Sequence, residues 1–198
     1  MNNRIRSTKI CAAIAAGAVL LGGAGASDIA SASAPAQAVE VSAASDETEA
    51  MVIKNLMTFY KPALKGQFPD FHAFTIGRTT HQDVVDAIGE PPQQRVDADG
   101  WDVYHAEMGH PGYALNYKLN KLREMRYFGT NVERQTNIGG ITLHMLYKYW
   151  SSPDSGAIIK NGKLMQRKIT YVRGDYKMEF IFNNLQGYNL DHINLTAN

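Results

Sequence analysis

His105 and His110, with Asp102 and Glu107 beside them, are the residues of this chain whose types could hold a metal ion. Such a site needs three or four ligands on a fixed frame, with hydrogen bonds behind them. The spacing here does not provide that frame, because His105 falls within a strand pattern and His110 in the following Gly109-His110-Pro111-Gly112 turn. Both read as exposed histidines at a strand edge and a turn, and no metal or other cofactor is expected. His81 and His144 do not form a duplicated site either, since their separation of 63 residues is out of step with the repeat in the chain.

Hydrolysis would need a nucleophile with an adjacent base, or two carboxylates opposed across a cleft. The chain has no G-x-S-x-G turn, no H-E-x-x-H helix and no Ser-x-x-Lys pairing. Asp97, Asp99 and Asp102 gather around Gly100, where solvated loop charge is the expected role. Arg173-Gly174-Asp175 spells an adhesive tripeptide, but a two-residue hairpin turn accounts for the Gly-Asp pair. No catalytic residue is expected, and the chain reads as non-enzymatic.

Charge is distributed unevenly. Residues 76–128 carry a formal −2 and residues 138–198 a formal +3. The excess lies in Lys163, Arg167, Lys168, Arg173 and Lys177, together with Lys160, and these are the candidate binding residues. A solvated strand face would also carry such bases, whereas contact with an anionic wall polymer or lipid head groups is the functional reading. The aromatic residues near the strands suit either core packing or a concave binding surface.

The N-terminus places the protein. Arg4, Arg6 and Lys9 precede an apolar run from Ile10 to Ala26, the charge order and length of a secretory signal peptide. That run is shorter than the ~20 residues of a bilayer span, so no transmembrane segment is expected. Ala36-Gln37-Ala38 sets the expected cleavage after Ala38, with Ala26 and Ala32 as alternatives, and residues 39–48 read as a disordered leader. Loss of 1–38 removes Arg4, Arg6, Lys9, Asp28 and the single cysteine, Cys11, taking the formal charge from +1 to −1. The mature chain then has no disulfide and too little positive charge for a nucleic-acid binder. It is expected outside the cytoplasm, secreted or associated with the cell wall.

The elements that must position these residues follow from periodicity. Val52, Ile53, Leu56, Met57 and Tyr60 recur at helical spacing and predict a helix over 49–64, with Pro62 a possible break. Ile76, Gly77, Thr80, Val84, Ile88 and Pro91 return 62 residues later as Ile138, Gly139, Thr142, Leu146, Trp150 and Pro153. Self-similarity at a fixed offset marks a repeated structural unit. Each unit, 76–128 and 138–196, is expected to pack one helix on three antiparallel strands. Thr80 and Asp83 form a capping-box pattern, while Gly89 and Pro91 end the first helix. Val84 and Ile88, like Leu146 and Trp150, are expected in the core, and alternating residues predict strands at 101–108, 113–119, 122–128, 163–173, 176–183 and 188–196, with Tyr113, Leu115, Tyr117 and Leu119 on one buried face. The fold class is α+β, one domain over 49–198.

This pattern resembles the modules of the β-lactamase inhibitor protein and of BamE/SmpA-type lipoproteins, from which only the repeated scaffold is carried over. Over residues 52–196 the chain resembles the YjgB-like family of secreted Gram-positive proteins, through Val52-Ile53-Lys54-Asn55-Leu56, the Asp83-Val84 helix with Gly89-x-Pro91, and the Tyr-rich strands. That family's domain has no assigned function. The expected role is a non-enzymatic binding module of the cell envelope, contacting an unidentified protein or an anionic wall polymer. The alternative is an inhibitor of an extracellular hydrolase, using 97–102 or 109–112 as the inserting loop.

Overall fold

The computed structural model describes residues 49–107, 110–129 and 137–198; the expected signal peptide and leader lie outside them. The N-terminal amphipathic stretch forms α1 (residues 49–58) and the short α2 (Tyr60–Ala63) rather than one helix over 49–64. Pro62 explains the division, since it cannot donate to the carbonyl four residues back and its ring crowds that carbonyl. Leu56, Phe59 and Ala63 are fully or almost fully buried along the inward face. No helix among the described residues is long and apolar enough to cross a membrane.

Two threonines begin the principal helices. Thr80 Oγ1 accepts from the Asp83 amide at 3.1 Å and the Asp83 carboxylate accepts from the Thr80 amide at 2.8 Å, closing the capping box of α3 (His81–Ile88). The same bonds hold the Asp83 carboxyl below its ordinary range. After α4 (Asn137–Gly140), Thr142 caps α5 (Leu143–Tyr149) by accepting from the Met145 amide. Val84, Leu146 and Trp150 are buried, as their repeat positions predict. Ile88, expected in the core as the counterpart of Trp150, is instead 44% exposed. The helix end bearing Ile88 borders an open groove, while Trp150 meets the rings of Tyr60, Tyr171 and Phe180.

The strands are β1 (Asp102–Tyr104), β2 (Gly112–Lys118), β3 (Lys121–Gly129), β4 (Ser155–Asn161), β5 (Leu164–Arg173), β6 (Tyr176–Phe182) and β7 (Leu190–Ala197). They form one antiparallel sheet in the order β1-β2-β3-β7-β6-β5-β4. Two separate three-stranded sheets were expected; β3 instead hydrogen-bonds to β7, and β4 adds a strand to the second half. The sequence signal for β4 is the apolar Ala157-Ile158-Ile159 run ending at Asn161-Gly162, a hairpin dipeptide. The turn between β2 and β3 centres on Leu119 and Asn120, both at positive φ, so Leu119 lies at the tip, 91% exposed, and not on the buried face expected of it. The Gly174-Asp175 turn joins β5 to β6 as predicted.

Residue parity sorts the sheet into two faces. Leu115, Met125, Tyr127, Tyr171, Met178, Phe180, Ile193 and Leu195 join the helices in the core cluster. Register places Asn116, Glu124, Arg126, Asn194, Glu179 and Lys168 on the other, polar face. The expected alternation fails in β2, which is buried from Gly112 to Tyr117 on both sides. The reason is tertiary: Asn116 Nδ2 donates to the carbonyls of Asp99 and Gly100, drawing that loop over the polar face. At Gly187, φ is +80° and a Cβ would collide with Leu143, whose amide donates to the Gly187 carbonyl.

Candidate functional site: an aromatic groove beside a buried aspartate

A groove of about 770 Å³ lies between the end of α3, the 70–74 segment and the strand edge around β1. Local bonds shape the 70–74 wall. The amides of Phe71 and Phe74 donate back to Phe68 and Phe71, and Gln67 Nε2 donates to the His72 carbonyl at 2.8 Å. Two tyrosines pin the walls together. Tyr104 Oη donates to the Gly89 carbonyl at the end of α3 (3.0 Å), and Tyr113 Oη donates to Asp70 Oδ2 (3.3 Å). Phe71 packs on Tyr113 with centroids 3.9 Å apart and on Phe74 at 5.0 Å. His72, His105 and His110 line the opening with Asp70, Glu90 and Glu107. His105 and His110 are exposed, and the His110 amide donates to the Glu107 carbonyl. Among the described residues no cluster of three or more His, Cys, Asp or Glu side chains is arranged to hold a metal.

Behind the groove, Asp102 corrects the expectation of a solvated loop charge: it is 1% exposed. Its register partner is Leu115, so parity turns it towards the helices. Asp102 Oδ1 accepts from the Arg95 amide (2.9 Å), while Oδ2 meets the Arg95 guanidinium (3.3 Å) and His81 Nε2 (3.2 Å). Arg95 lies 4.8 Å from the Tyr117 ring centroid, and His81 stands edge-on to the same ring. A His–Asp pair can orient a general base. Here the same carboxylate joins the 93–95 segment to the start of α3, a structural task. Asp97 and Asp99 remain exposed, as predicted. The sequence signal for this cluster is that Asp102 is in phase with the inward-facing Tyr104, which becomes specific only once the strand is placed.

Burial, then the Asp102 charge, pushes the Tyr104 hydroxyl from its ordinary 10.0 up to about 12, and burial does the same to Tyr171. Burial also raises the Tyr117 hydroxyl, which has no hydrogen-bond partner among the described residues. The unfolded chain therefore loses these protons first, and the stability they contribute is present below pH 10 and declines as pH rises towards 12. Thermal midpoints should be level approaching pH 10 and fall above it, less steeply in Tyr104→Phe. A midpoint unchanged up to pH 12 would contradict this.

The five candidate bases do not share one face. Lys168 and Lys177 have outward parity, and Lys168 Nζ pairs with Glu179 at 2.9 Å. Arg167 and Arg173 have the opposite parity. Arg167 donates to the Leu185 carbonyl at 2.9 Å, and the Arg173 guanidinium sits 4.8–5.0 Å from the ring centroids of Tyr171, Trp150 and Tyr60. The Arg173-Gly174-Asp175 turn thus directs its arginine into an aromatic stack. Lys163 occupies the exposed β4–β5 turn.

Residues 56–196 match a family described as "Domain of unknown function (DUF4309)". The chain is 36% identical over 192 residues to the "Uncharacterized protein YjgB" of Bacillus subtilis (strain 168), covering 95% of this chain and 96% of that protein. It superposes on the crystal structure of a DUF4309 family protein, YjgB, from Bacillus subtilis with a TM-score of 0.62 and 33% identity, covering 77% of this chain and 99% of that one. An extracellular protein containing an SCP domain from Bacillus anthracis matches at a TM-score of 0.43 and 15% identity, covering 62% of this chain and 44% of that one.

Proposed function

The chain belongs to the DUF4309 family, and from that premise we propose that it is a secreted, non-enzymatic binding module of the bacterial cell envelope. The groove carries this reading: its volume falls in the usual range for ligand sites, and Tyr104 and Tyr113 hold its walls in place before any ligand arrives. The commitment of Asp102, His81 and Arg95 to joining the strand, the helix and the 93–95 segment supports binding over catalysis. The signal-like N-terminus supports an extracytoplasmic site of action.

For an anionic wall polymer, the bases to consider are Lys160, Lys163 and Lys177, which pair with no described carboxylate, whereas Lys168 pairs with Glu179. Ionic contacts of this kind are screened over ~8 Å at physiological salt. The mature chain should be retained on isolated cell walls, with retention falling as salt rises and in the combined Lys160→Gln, Lys163→Gln, Lys177→Gln variant. Retention indifferent to both would point to a protein partner; no retention on walls or capture of a wall protein would defeat the envelope reading.

The inhibitor reading draws on the exposed rim at His105, Glu107 and His110, which a partner's cleft could receive. The 97–102 loop supports it less, being tied down through Asn116.

We also infer that the two halves are copies of one unit. Thr80 and Thr142 both cap helices in extended conformation, and the Gln93–Val103 bridge stands where an offset of 62 residues places Ser155, the start of β4. Aligned DUF4309 sequences whose halves shared no positions would remove this inference.

A further inference from the structure

We propose that the groove beside β1 is a site for a small organic cation, an ammonium group carried on a compact apolar body. This rests on the binding-module reading and names the ligand class that the groove would take.

The lining holds the carboxylates of Asp70, Glu90 and Glu107 beside the imidazoles of His72, His105 and His110, and no lysine or arginine lines it among the described residues. None of the three carboxylates forms an ion pair among the described residues. The C-terminal end of α3 opens on the same space through Ala87 and Ile88, adding the partial negative charge of its last carbonyls. The floor is aromatic, formed by Phe71, Phe74, Tyr104 and Tyr113. Ring faces attract cations through their quadrupole, and the nearby carboxylates add a separate Coulombic attraction. Elsewhere the protein uses this contact itself: Arg95 lies on Tyr117, Arg126 on Trp101 and Arg173 on Tyr60, Trp150 and Tyr171. No guanidinium or ammonium group of the described residues lies over Phe71, Phe74 or Tyr104. An anion would face three carboxylates, and a neutral apolar ligand would leave their charge unmatched, since among the described residues Asp70 accepts only the neutral Tyr113 hydroxyl. The volume of about 770 Å³ is in the range of small-molecule sites.

Choline and its uncharged isostere 3,3-dimethylbutan-1-ol have the same shape and differ in charge, so titrating both into the mature chain tests the assignment. In amide-resolved NMR, choline should shift the signals of His72, Ala73, Ile88, His105 and Glu107 saturably, and the alcohol should bind at least about tenfold more weakly, a gap of ~1.4 kcal/mol. The Glu90→Gln, Glu107→Gln double variant, altered only at exposed positions, should weaken choline several-fold while keeping its amide dispersion. Equal affinity for the two probes, shifts centred outside the groove, or a double variant that binds choline unchanged would each overturn the proposal. A blocked lysine peptide that moves the same amides more strongly than choline would replace the small ligand by a protein side chain and also overturn it. Wall retention without choline binding would sink the cation site and leave the module reading intact. Choline binding without wall retention would do the reverse.

Discussion

Trp150→Ala is expected to lower the unfolding free energy by about 3–5 kcal/mol, the cost of deleting a large buried aromatic and leaving its cavity. Trp150 is 2% exposed and is the hinge of a four-ring cluster: its centroid lies 5.6 Å from Tyr60, 5.3 Å from Tyr171 and 5.2 Å from Phe180, all near perpendicular. Edge-to-face pairs of this kind add stabilisation beyond the area they bury. Arg173 lies over Trp150 as well, so the truncation also exposes one side of a guanidinium seat. Trp150→Phe should cost clearly less, because it keeps part of the ring contact and removes an indole N–H that is buried without a partner among the described residues. Urea unfolding of the three proteins measures both. A loss below about 1 kcal/mol for the alanine variant, the range of surface changes, would show that α5 does not pack as described.

Asp102→Ala is expected to cost about 3 kcal/mol, towards the lower end for breaking a buried ion pair. The carboxylate side chain is 2% exposed, while those of its partners Arg95 and His81 retain 28% and 27%, so both cations can recover some hydration when it is lost. The Arg95 amide also loses its acceptor, Asp102 Oδ1. Asp102→Asn keeps an acceptor for that amide and should fall between the alanine variant and the parent. Native-state hydrogen exchange should show the loss concentrated at Arg95 and the first turn of α3. An alanine variant as stable as the parent, or one with uniform exchange, would mean that Asp102 does not join the two segments.

The candidate site divides along the same line as these two predictions. Ile88 and Leu119 were placed in the core by periodicity and lie exposed, whereas Asp102 was placed in solvent by its company of loop acids and lies buried. Ile88 and Asp102 lie in the helix and strand that their local pattern predicts, with the environment supplied by other parts of the chain, whereas Leu119 lies in the turn beyond β2 and not in the predicted strand. The five bases illustrate the same point, since alternation along β5 and β6 divides them between two faces once the register is known.

The sequence by itself determined the family, the helix starts at Thr80 and Thr142, the Gly174-Asp175 hairpin and most strands. These depend on interactions within a few residues, such as a hydroxyl capping an amide three positions on or a glycine accepting positive φ. Only the tertiary structure decided that the strands make one sheet, that Asp102 is buried and that a groove exists. The bonds responsible join distant positions: Tyr113 to Asp70 across 43 residues and Arg126 to Asn194 across 68. No spacing rule reaches that far, because closing such loops has an entropic cost that only the assembled core offsets.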